Sequence, residues 1–399
     1  PKPQTPNPKP QTPNPKPQSV LSALTPYTPT PSSTIIIYPM GKGYTSDCMQ
    51  CNDNKHLPRD TVQSMRWLPG NKSTILALAG WDGCLRVYEL TNNNNRGSLE
   101  QRYCQFFGLP ITAIEWISEG TILLATMDGV LHIADVKNNQ HKELFKTNYP
   151  ICEIKFKDKD NRSPDPFVLI FTCDDTVFYH RIYSNDQFPS ASQRLKYKIV
   201  CAELEDSFLV VGLADSKCLI LDLNNHQPGK DISSTLYHDS GLQTKIGCVS
   251  IKKSKDKIVF SGIDGRISVQ SIKTGYSTNS FILNNDIVFR AHKTSQGSKP
   301  ELIHSVTSTQ FCPNRDNDNA ISTTSICGEV KFWDLGKRED CYTIDAKNRQ
   351  ISTGRFNQDG TLYAFCTGYS WNEGIWGLNN VNYAPEIFVT VVESNMIRP

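Results

Sequence analysis

Aspartates recur along the chain at nearly regular intervals, each after a short apolar run. They are Asp82, Asp128, Asp174, Asp215 and Asp264, which lie 41 to 49 residues apart. Carboxylates that converge on one cleft could act as general acids and bases. Aspartates between apolar runs more often accept hydrogen bonds from nearby backbone amides in a turn. We therefore interpret the series as turn residues and predict no catalytic residue among them.

No linear catalytic motif accompanies these aspartates. The chain contains no G-x-S-x-G elbow, H-E-x-x-H helix, P-loop or Rossmann glycine pattern, and its eight histidines are scattered. The sequence therefore predicts a protein that is not an enzyme, with no cofactor and no small-molecule substrate.

The thirteen cysteines indicate free thiols in a reducing compartment, because many fall within apolar runs where a small buried residue suits the core. The single C-x-x-C pair is formed by Cys48 and Cys51. A structural zinc site needs four ligands, and no second pair follows at a finger-like spacing. We predict no metal site.

Two basic clusters could contact the phosphates of single-stranded RNA, and Tyr197 in the second could stack on a base. Lysines on hairpins also keep strand edges soluble and unpaired, which is the alternative interpretation. The candidate residues are Lys252, Lys253, Lys255 and Lys257 in the first cluster and Arg194, Lys196 and Lys198 in the second.

A pair of strand-like segments precedes each turn and another strand follows it. In the first repeat, residues 62–67 and 74–79 are rich in aliphatic and β-branched residues, and Cys84 to Tyr88 follow the turn. Repeats of about 40 to 45 residues are typical of propeller blades with four strands each. The sequence therefore predicts an all-β, seven-bladed β-propeller of the WD-repeat type over residues 33–393, with a C-terminal tail at 394–399.

Closure of such a ring removes exposed sheet edges. Propellers commonly close when an N-terminal strand joins the last blade, and residues 35–38, Ile-Ile-Ile-Tyr, are the candidate. An enzyme with a site assembled from several blades at the central channel is the alternative to a scaffold.

Residues 1–32 differ in composition from the rest of the chain. The heptapeptide Pro-Lys-Pro-Gln-Thr-Pro-Asn occurs twice and begins a third time. Proline removes backbone donors and the segment has little apolar surface to bury, so we predict disorder or extended polyproline II.

Net charge gives no argument for a particular partner, whereas hydropathy predicts a protein that does not span a membrane. The formal net charge is +2, so the whole chain offers no electrostatic argument for nucleic acid or membrane. No apolar run approaches the roughly 18 residues of a membrane span. We predict no membrane partner.

The spacing between turns widens after Asp264, and the added length contains residues 286–293 with the segment Phe289-Arg290-Ala291-His292-Lys293. Together with residues 262–269, this segment resembles the nuclear-pore WD-repeat mRNA export factors and their sister family, the mitotic checkpoint WD-repeat proteins. Both families carry an acidic-Gly-Arg turn here, followed by Phe-basic-x-His-basic. Residues 365–374 resemble the Ser-Tyr-x-Trp-x-x-Gly ending of the export factors, which are therefore the better match.

The resemblance implies a non-enzymatic scaffold that binds a GLEBS-like nucleoporin peptide across one face, and single-stranded RNA in some members. It implies a role in mRNA export at the nuclear pore complex of the nuclear envelope, with a presence in the cytoplasm as well. The residues implied to lie near the partner are Arg266, Phe289, Arg290, His292 and Lys293. Arginine and lysine suit this role because they pair with carboxylates.

One position departs from the family pattern. Where the family places an arginine that contacts the acidic peptide, directly before the cysteine of the fifth blade's first strand, this chain has Gly247 before Cys248. Lys245 is the candidate substitute. A spindle-checkpoint subunit that binds kinetochore proteins is the alternative function.

Overall fold

The computed structural model describes residues 49–50, 56–70, 73–93, 96–160, 165–182, 191–225, 237–275, 280–296, 299–313, 319–346, 349–370 and 385–397. The chain divides into Pro1–Pro31 and a second unit, Ser32–Pro399, which contains all the described residues. The proline-rich segment, the closing-strand candidate at 35–38, the Cys48–Cys51 pair and Trp371 lie outside the described residues.

Seven antiparallel four-stranded sheets make up the second unit, and a two-stranded hairpin joins the fifth blade to the sixth. Blade 1 has β2 (Val62–Trp67), β3 (Ile75–Gly80), β4 (Cys84–Asn93) and β5 (Arg96–Phe106). Blade 2 has β6 (Ile111–Ser118), β7 (Thr121–Thr126), β8 (Val130–Asp135) and β9 (Gln140–Lys146). Blade 3 has β10 (Ile151–Lys157), β11 (Phe167–Thr172), β12 (Thr176–Arg181) and β13 (Ala191–Arg194).

The remaining blades follow in chain order. Blade 4 has β14 (Ile199–Glu205), β15 (Phe208–Leu213), β16 (Lys217–Asp222) and β17 (Tyr237–Asp239), and blade 5 has β18 (Ile246–Ile251), β19 (Lys257–Gly262), β20 (Arg266–Thr274) and β21 (Phe281–Arg290). The hairpin consists of β22 (Lys293–Gln296) and β23 (Lys299–Ile303), and blade 6 has β24 (Val306–Phe311), β25 (Ala320–Ser325), β26 (Glu329–Asp334) and β27 (Glu339–Asp345). Blade 7 has β28 (Ile351–Phe356), β29 (Leu362–Thr367), β30 (Ile387–Val391) and, from the N-terminal side, β1 (Met49–Gln50). The predicted seven-bladed propeller is confirmed.

The second strand of each blade is largely buried because neighbouring blades cover both of its faces. It is mainly apolar except in blade 6, where β25 has the sequence Ala-Ile-Ser-Thr-Thr-Ser. Strands β11, β15 and β29 are buried at every position. The fourth strand lies at the rim, and β9 is correspondingly polar and mostly exposed. Because burial decreases from the second strand to the fourth, the edge of each sheet that the fourth strand forms is the one that faces outward.

The predicted hydrogen bond from a backbone amide is present at Asp82 and Asp264. Asp82 Oδ1 accepts a hydrogen bond from the Cys84 amide at 3.1 Å. Gly83 adopts φ of 69° in that turn, a left-handed conformation that a residue with a side chain rarely adopts. Asp174 instead accepts from the hydroxyls of Thr172 and Thr176, at 2.6 and 3.0 Å.

Seven hydrophobic clusters form the core, one between each pair of adjacent blades. The cluster between blades 1 and 7, which we call the closing cluster, joins the two ends of the ring. Its residues are Leu57, Val62, Met65, Trp67, Leu76, Leu78, Tyr88 and Leu99 from the N-terminal side and Leu362, Ala364, Cys366, Ile387 and Val389 from blade 7.

Backbone pairing reinforces the closing cluster. In β1, Met49 pairs with Val389 of β30, and Gln50 pairs with Phe388. The Thr61 hydroxyl donates to the Tyr369 carbonyl at 2.9 Å, and the Trp67 indole donates to the Arg355 carbonyl at 3.1 Å. An N-terminal strand therefore completes the last blade, at residues 49–50.

Two features were not foreseen. Residues 286–290 belong to β21, so the hairpin of β22 and β23 supplies the added length between blades 5 and 6. Within the predicted tail, helix α1 (Ser394–Ile397) buries Met396 and Ile397 in the cluster between blades 6 and 7. Among the described residues, no helix has the length and apolarity required to cross a membrane.

Truncation of Leu78 tests the closing cluster. Leu78 is 1% exposed, so Leu78→Ala should leave a cavity and lower the free energy of unfolding by about 2–5 kcal/mol. Denaturant titration followed by tryptophan fluorescence measures the loss. The control Val391→Ala removes an exposed side chain and should cost less than about 0.5 kcal/mol; equal losses in both variants would contradict a shared core between blades 1 and 7.

Candidate docking surface

At one end of the propeller, the first and third strands of each blade begin and its second and fourth strands end. In blade 5, Ile246 at the start of β18 pairs with Gly262 at the end of β19, and Arg266 pairs with Arg290. We call this end the upper face. The opposite end, which carries the turns between first and second strands, is the lower face.

Arg266 and Arg290 lie directly opposite each other at the upper edge of blade 5. Arg266 forms an ion pair with Asp264 at 3.3 Å and donates to Gln243 Oε1 at 2.8 Å. Arg290 is exposed. Like charges across a strand pair repel each other, so an anion bound between these guanidinium groups would relieve the repulsion.

Lys245 and Lys293 also lie at this end. Lys245 is exposed directly before β18, and its carbonyl accepts a hydrogen bond from the Ile263 amide at 3.2 Å. Lys293 is exposed at the start of the hairpin and pairs with Glu301 at 3.0 Å. The structure thus brings Arg266, Arg290, Lys245 and Lys293 to one edge of the upper face.

Phe289 packs into the core between blades 5 and 6. Its ring lies 4.9 Å from that of Trp333, and it borders the cluster that contains Ile267 and Val269. Neighbouring residues of a strand point to opposite faces, so Phe289 turns inward where Arg290 turns outward.

His292 lies inside the protein and not on the surface. Its ring is fully buried, with Nε2 2.9 Å from the Thr323 hydroxyl and Nδ1 3.4 Å from Glu329 Oε2. Burial lowers the pKa of His292, so the ring is neutral at neutral pH. The geometry gives His292 a positioning role between blades 5 and 6.

Gly247 is the extra residue of a β-bulge in β18, between Ile246 and Cys248. A Cβ atom at this position would lie 3.3 Å from the Val306 carbonyl oxygen. The bulge therefore brings the backbone of blade 5 close to that of blade 6.

The two basic clusters lie on opposite faces. Lys252 to Lys257 occupy the lower turn of blade 5, where Lys252 is buried beside Asp256, and Lys255 pairs with Asp206 at 2.7 Å. The second cluster lies on the upper face, and its members Arg194, Lys196 and Lys198 are all exposed. Lys196 Nζ lies 5.3 Å from the centre of the Tyr197 ring. RNA contact by either cluster stays a prediction.

Exposed apolar side chains concentrate on the upper face, and sequence reasoning missed them. Of the large hydrophobic residues that the structure describes as exposed, all but Ile282 and Val391 lie at or near this end. They are Trp81, Phe106, Leu109, Met127, Tyr149, Val200, Ile263, Val288, Leu302 and Ile303. Large apolar patches on a protein surface mark interaction sites.

A signal for this surface was present in the repeats. Trp81, Met127 and Ile263 each stand directly before the turn aspartate of their blade. A tight turn exposes this position, so an apolar residue there in three blades indicates a surface that a partner covers.

A cavity of about 450 Å³ opens at the upper mouth of the central channel, between blades 6, 7 and 1. Trp81 and Val62 line one side, Thr307 and Ser352 come from the first strands of blades 6 and 7, and Tyr369 lies at the rim. The volume is in the range of clefts that hold a drug-sized ligand, so it has room for more than one side chain of a docked segment.

Ion pairs line the central channel. Arg66 contacts Glu115 at 3.2 Å and Glu153 at 3.4 Å, and Lys155 contacts Glu153 at 3.5 Å. Glu203 accepts from Lys155 at 3.2 Å and from both terminal nitrogens of Arg355 at 3.4 Å. Although burial opposes ionisation, Lys155, Arg355 and Arg66 hold the pKa of Glu203 well below its usual range. These carboxylates are engaged with cations of neighbouring blades, an arrangement that ties the inner strands together.

Known proteins similar to the chain fit this architecture, although no protein-family model matches it. It is 22% identical over 346 residues to the mRNA export factor GLE2 of Chaetomium thermophilum, covering 86% of this chain and 90% of that protein. It is 23% identical over 358 residues to Protein Rae1 of Drosophila melanogaster, covering 83% and 91%. The Caenorhabditis elegans mitotic checkpoint protein bub-3 is 21% identical over 305 residues, 76% of this chain and 83% of that protein. The predicted resemblance to the export factors and their checkpoint sister family is confirmed.

Neutralising Glu203 tests the channel network. Because the pKa of Glu203 is depressed in the fold, its contribution to stability is present above the unfolded pKa of about 4.3 and is lost as pH falls below it. Glu203→Gln should therefore cost about 3–5 kcal/mol at pH 7 and should flatten the acid limb of a stability profile measured by denaturant titration. The exposed control Glu143→Gln should keep the wild-type profile, and a wild-type profile in Glu203→Gln would contradict the network.

Proposed function

We propose that this chain is a WD-repeat scaffold in mRNA export whose upper face docks an extended, partly acidic segment of a nucleoporin. The observation that carries the proposal is the shared location of exposed apolar and basic side chains on that face. The similarity to proteins named mRNA export factors supports the process. The working location is then the nuclear pore complex in the nuclear envelope, and passage into the cytoplasm follows from export.

The surface defines the chemistry of its partner. Trp81, Met127 and Ile263 offer apolar contacts that lose water on binding, and aromatic residues commonly dominate the binding energy of an interface. Arg266 and Arg290 can pair bidentately with carboxylates. A segment with alternating apolar and acidic residues satisfies both sets, and the GLEBS-like motif implied by the family resemblance has this partly acidic character.

The cavity at the channel mouth gives the segment an anchor. Side chains of the segment placed against Trp81 and Tyr369 would enter this cavity of about 450 Å³ at the centre of the surface, where buried contacts contribute most. Arg194 at the end of blade 3 and Lys196 and Lys198 in the connection to blade 4 lie on the same face, and there they are available to single-stranded RNA.

Charge reversal tests the basic edge. Arg266→Glu combined with Arg290→Glu should weaken binding of an acidic GLEBS-like peptide about tenfold to a hundredfold, and the effect should shrink as salt rises. The wild-type chain on beads first captures its nucleoporin from nuclear extract, identified by mass spectrometry. Fluorescence anisotropy with the GLEBS-like peptide of that nucleoporin then gives the dissociation constants.

Lys142→Glu, at an exposed position in the outer strand of blade 2, is the matched control and should bind as the wild type does. Capture of kinetochore proteins in place of a nucleoporin would assign the chain to the checkpoint role. Capture of RNA without any protein would reject the peptide-docking role.

Trp81→Ala tests the anchor cavity independently of charge. Trp81 is 41% exposed and donates to Gln63 at 3.3 Å, so its loss should leave the fold intact while it weakens peptide binding by about 2 kcal/mol or more. Because the contact is apolar, this loss should persist at high salt. Val391→Ala on the lower face is the control, and unchanged affinity in Trp81→Ala would place the anchor elsewhere.

A further inference from the structure

Three potential metal ligands converge where blade 5 meets blade 6. His292 follows β21, Cys327 lies in the turn between β25 and β26, and Glu329 opens β26. One donor atom from each lies within 4.8 Å of the other two. Cys327 and Glu329 are partly exposed, so an ion can reach the cluster from solvent.

The distances between the donors match one face of a tetrahedron. His292 Nδ1 lies 3.4 Å from Glu329 Oε2 and 3.7 Å from Cys327 Sγ, and Sγ lies 3.6 Å from Oε2. Zinc bonds of ~2.0–2.3 Å in tetrahedral geometry separate neighbouring nitrogen, oxygen and sulfur ligands by roughly 3.4–3.6 Å. A metal ion therefore fits among the three donors with little movement of the side chains.

The surroundings of His292 orient its ring toward the ion. Nε2 lies 2.9 Å from the Thr323 hydroxyl, which also accepts from the Trp333 indole at 2.9 Å. When Nε2 carries the proton, the Thr323 oxygen accepts hydrogen bonds from both Nε2 of His292 and the Trp333 indole. Nδ1 of His292 then keeps a free lone pair that can coordinate a metal ion. A hydrogen bond from the second ring nitrogen is a common feature of metal-binding histidines.

Cys327 is an exception within the repeat itself. In blades 1, 2 and 5 the residue before the turn glycine is Asp82, Asp128 or Asp264, whereas blade 6 has Cys327 before Gly328. The carboxylate that caps the turn in those blades is thus replaced by a thiol, and His292 lies beside it. Thiolate and imidazole together favour zinc over calcium or magnesium.

We propose that His292, Cys327 and Glu329 bind a divalent ion of the zinc class, with water as the fourth ligand. The Cys327 thiol releases its proton to solvent as the sulfur binds the ion, and His292 coordinates through Nδ1. Glu329 provides Oε2 to the ion, and the Lys331 ammonium, whose Nζ lies 3.4 Å from the same oxygen, helps to balance the negative charge of the ligands. The ion would join the start of the hairpin to blade 6 beside the upper face.

No local pattern predicts this site, because His292 lies 35 residues before Cys327 in the sequence. Only the pairing of blades 5 and 6 brings the three residues together.

Co²⁺ titration of the full chain tests the site, since Co²⁺ reports a thiolate ligand by charge-transfer absorption and tetrahedral geometry by intense visible bands. The background carries Cys48→Ser and Cys51→Ser to remove the only C-x-x-C pair. One equivalent of Co²⁺ should bind with both signals, and Zn²⁺ should displace it. Cys327→Ser should abolish the charge-transfer band and weaken binding at least tenfold, and Glu329→Gln should weaken it while the band remains.

Cys341→Ser is the matched control, because Cys341 is a partly exposed cysteine in the same blade, and it should titrate as the background does. Circular dichroism of each variant confirms that it is folded. The proposal is wrong if the signals are absent in the background protein, or if they persist unchanged in folded Cys327→Ser.

Discussion

The hydrophobic contact between the first and last blades is the interaction on which the rest of the structure depends. Each blade is a small sheet whose two faces are apolar, and seven such sheets bury both faces only when the circle is complete. The closing cluster around Leu78 and Leu362 supplies that last interface. The β1–β30 pairing and the bond from Thr61 to Tyr369 hold it in register. Without it, blades 1 and 7 would each present an apolar face to water, at a cost proportional to the exposed area.

Closure of the ring also determines which charged and apolar groups remain available to bind a ligand. The inner strands meet at the axis, where Arg66, Lys155 and Arg355 neutralise Glu115, Glu153 and Glu203. Charges satisfied in this way stabilise the ring and leave little for a ligand to pair with. The upper face is different, since Arg290 and the residues before the turn aspartates face outward. The interior, whose charges are neutralised, stabilises the shape of the ring, whereas the amphipathic upper face is available to bind partners.

The fold could be predicted from the sequence because its signals are local. A run such as Phe208 to Leu213 has the length and composition of a buried strand, and Asp-Gly pairs mark the turns. The docking surface was only partly predictable. Phe289 and Arg290 were grouped by resemblance, although adjacent strand residues face opposite sides. His292 appeared polar and available, yet its environment comes from Thr323 and Glu329 of the next blade, which no local pattern shows.

The origin of the outer strand in blade 7 has a consequence for biosynthesis. Met49 pairs with Val389, so two segments separated by 340 residues of sequence share one sheet. During translation, the early blades emerge and can form hairpins, but blade 1 lacks its neighbour until residues 351–391 of blade 7 have been synthesised. Until then the nascent chain displays the apolar flank of blade 1, a surface that chaperones recognise and that favours aggregation. A chain that stops before blade 7 therefore keeps this flank exposed, so premature termination favours aggregation even when blades 1 to 6 are complete.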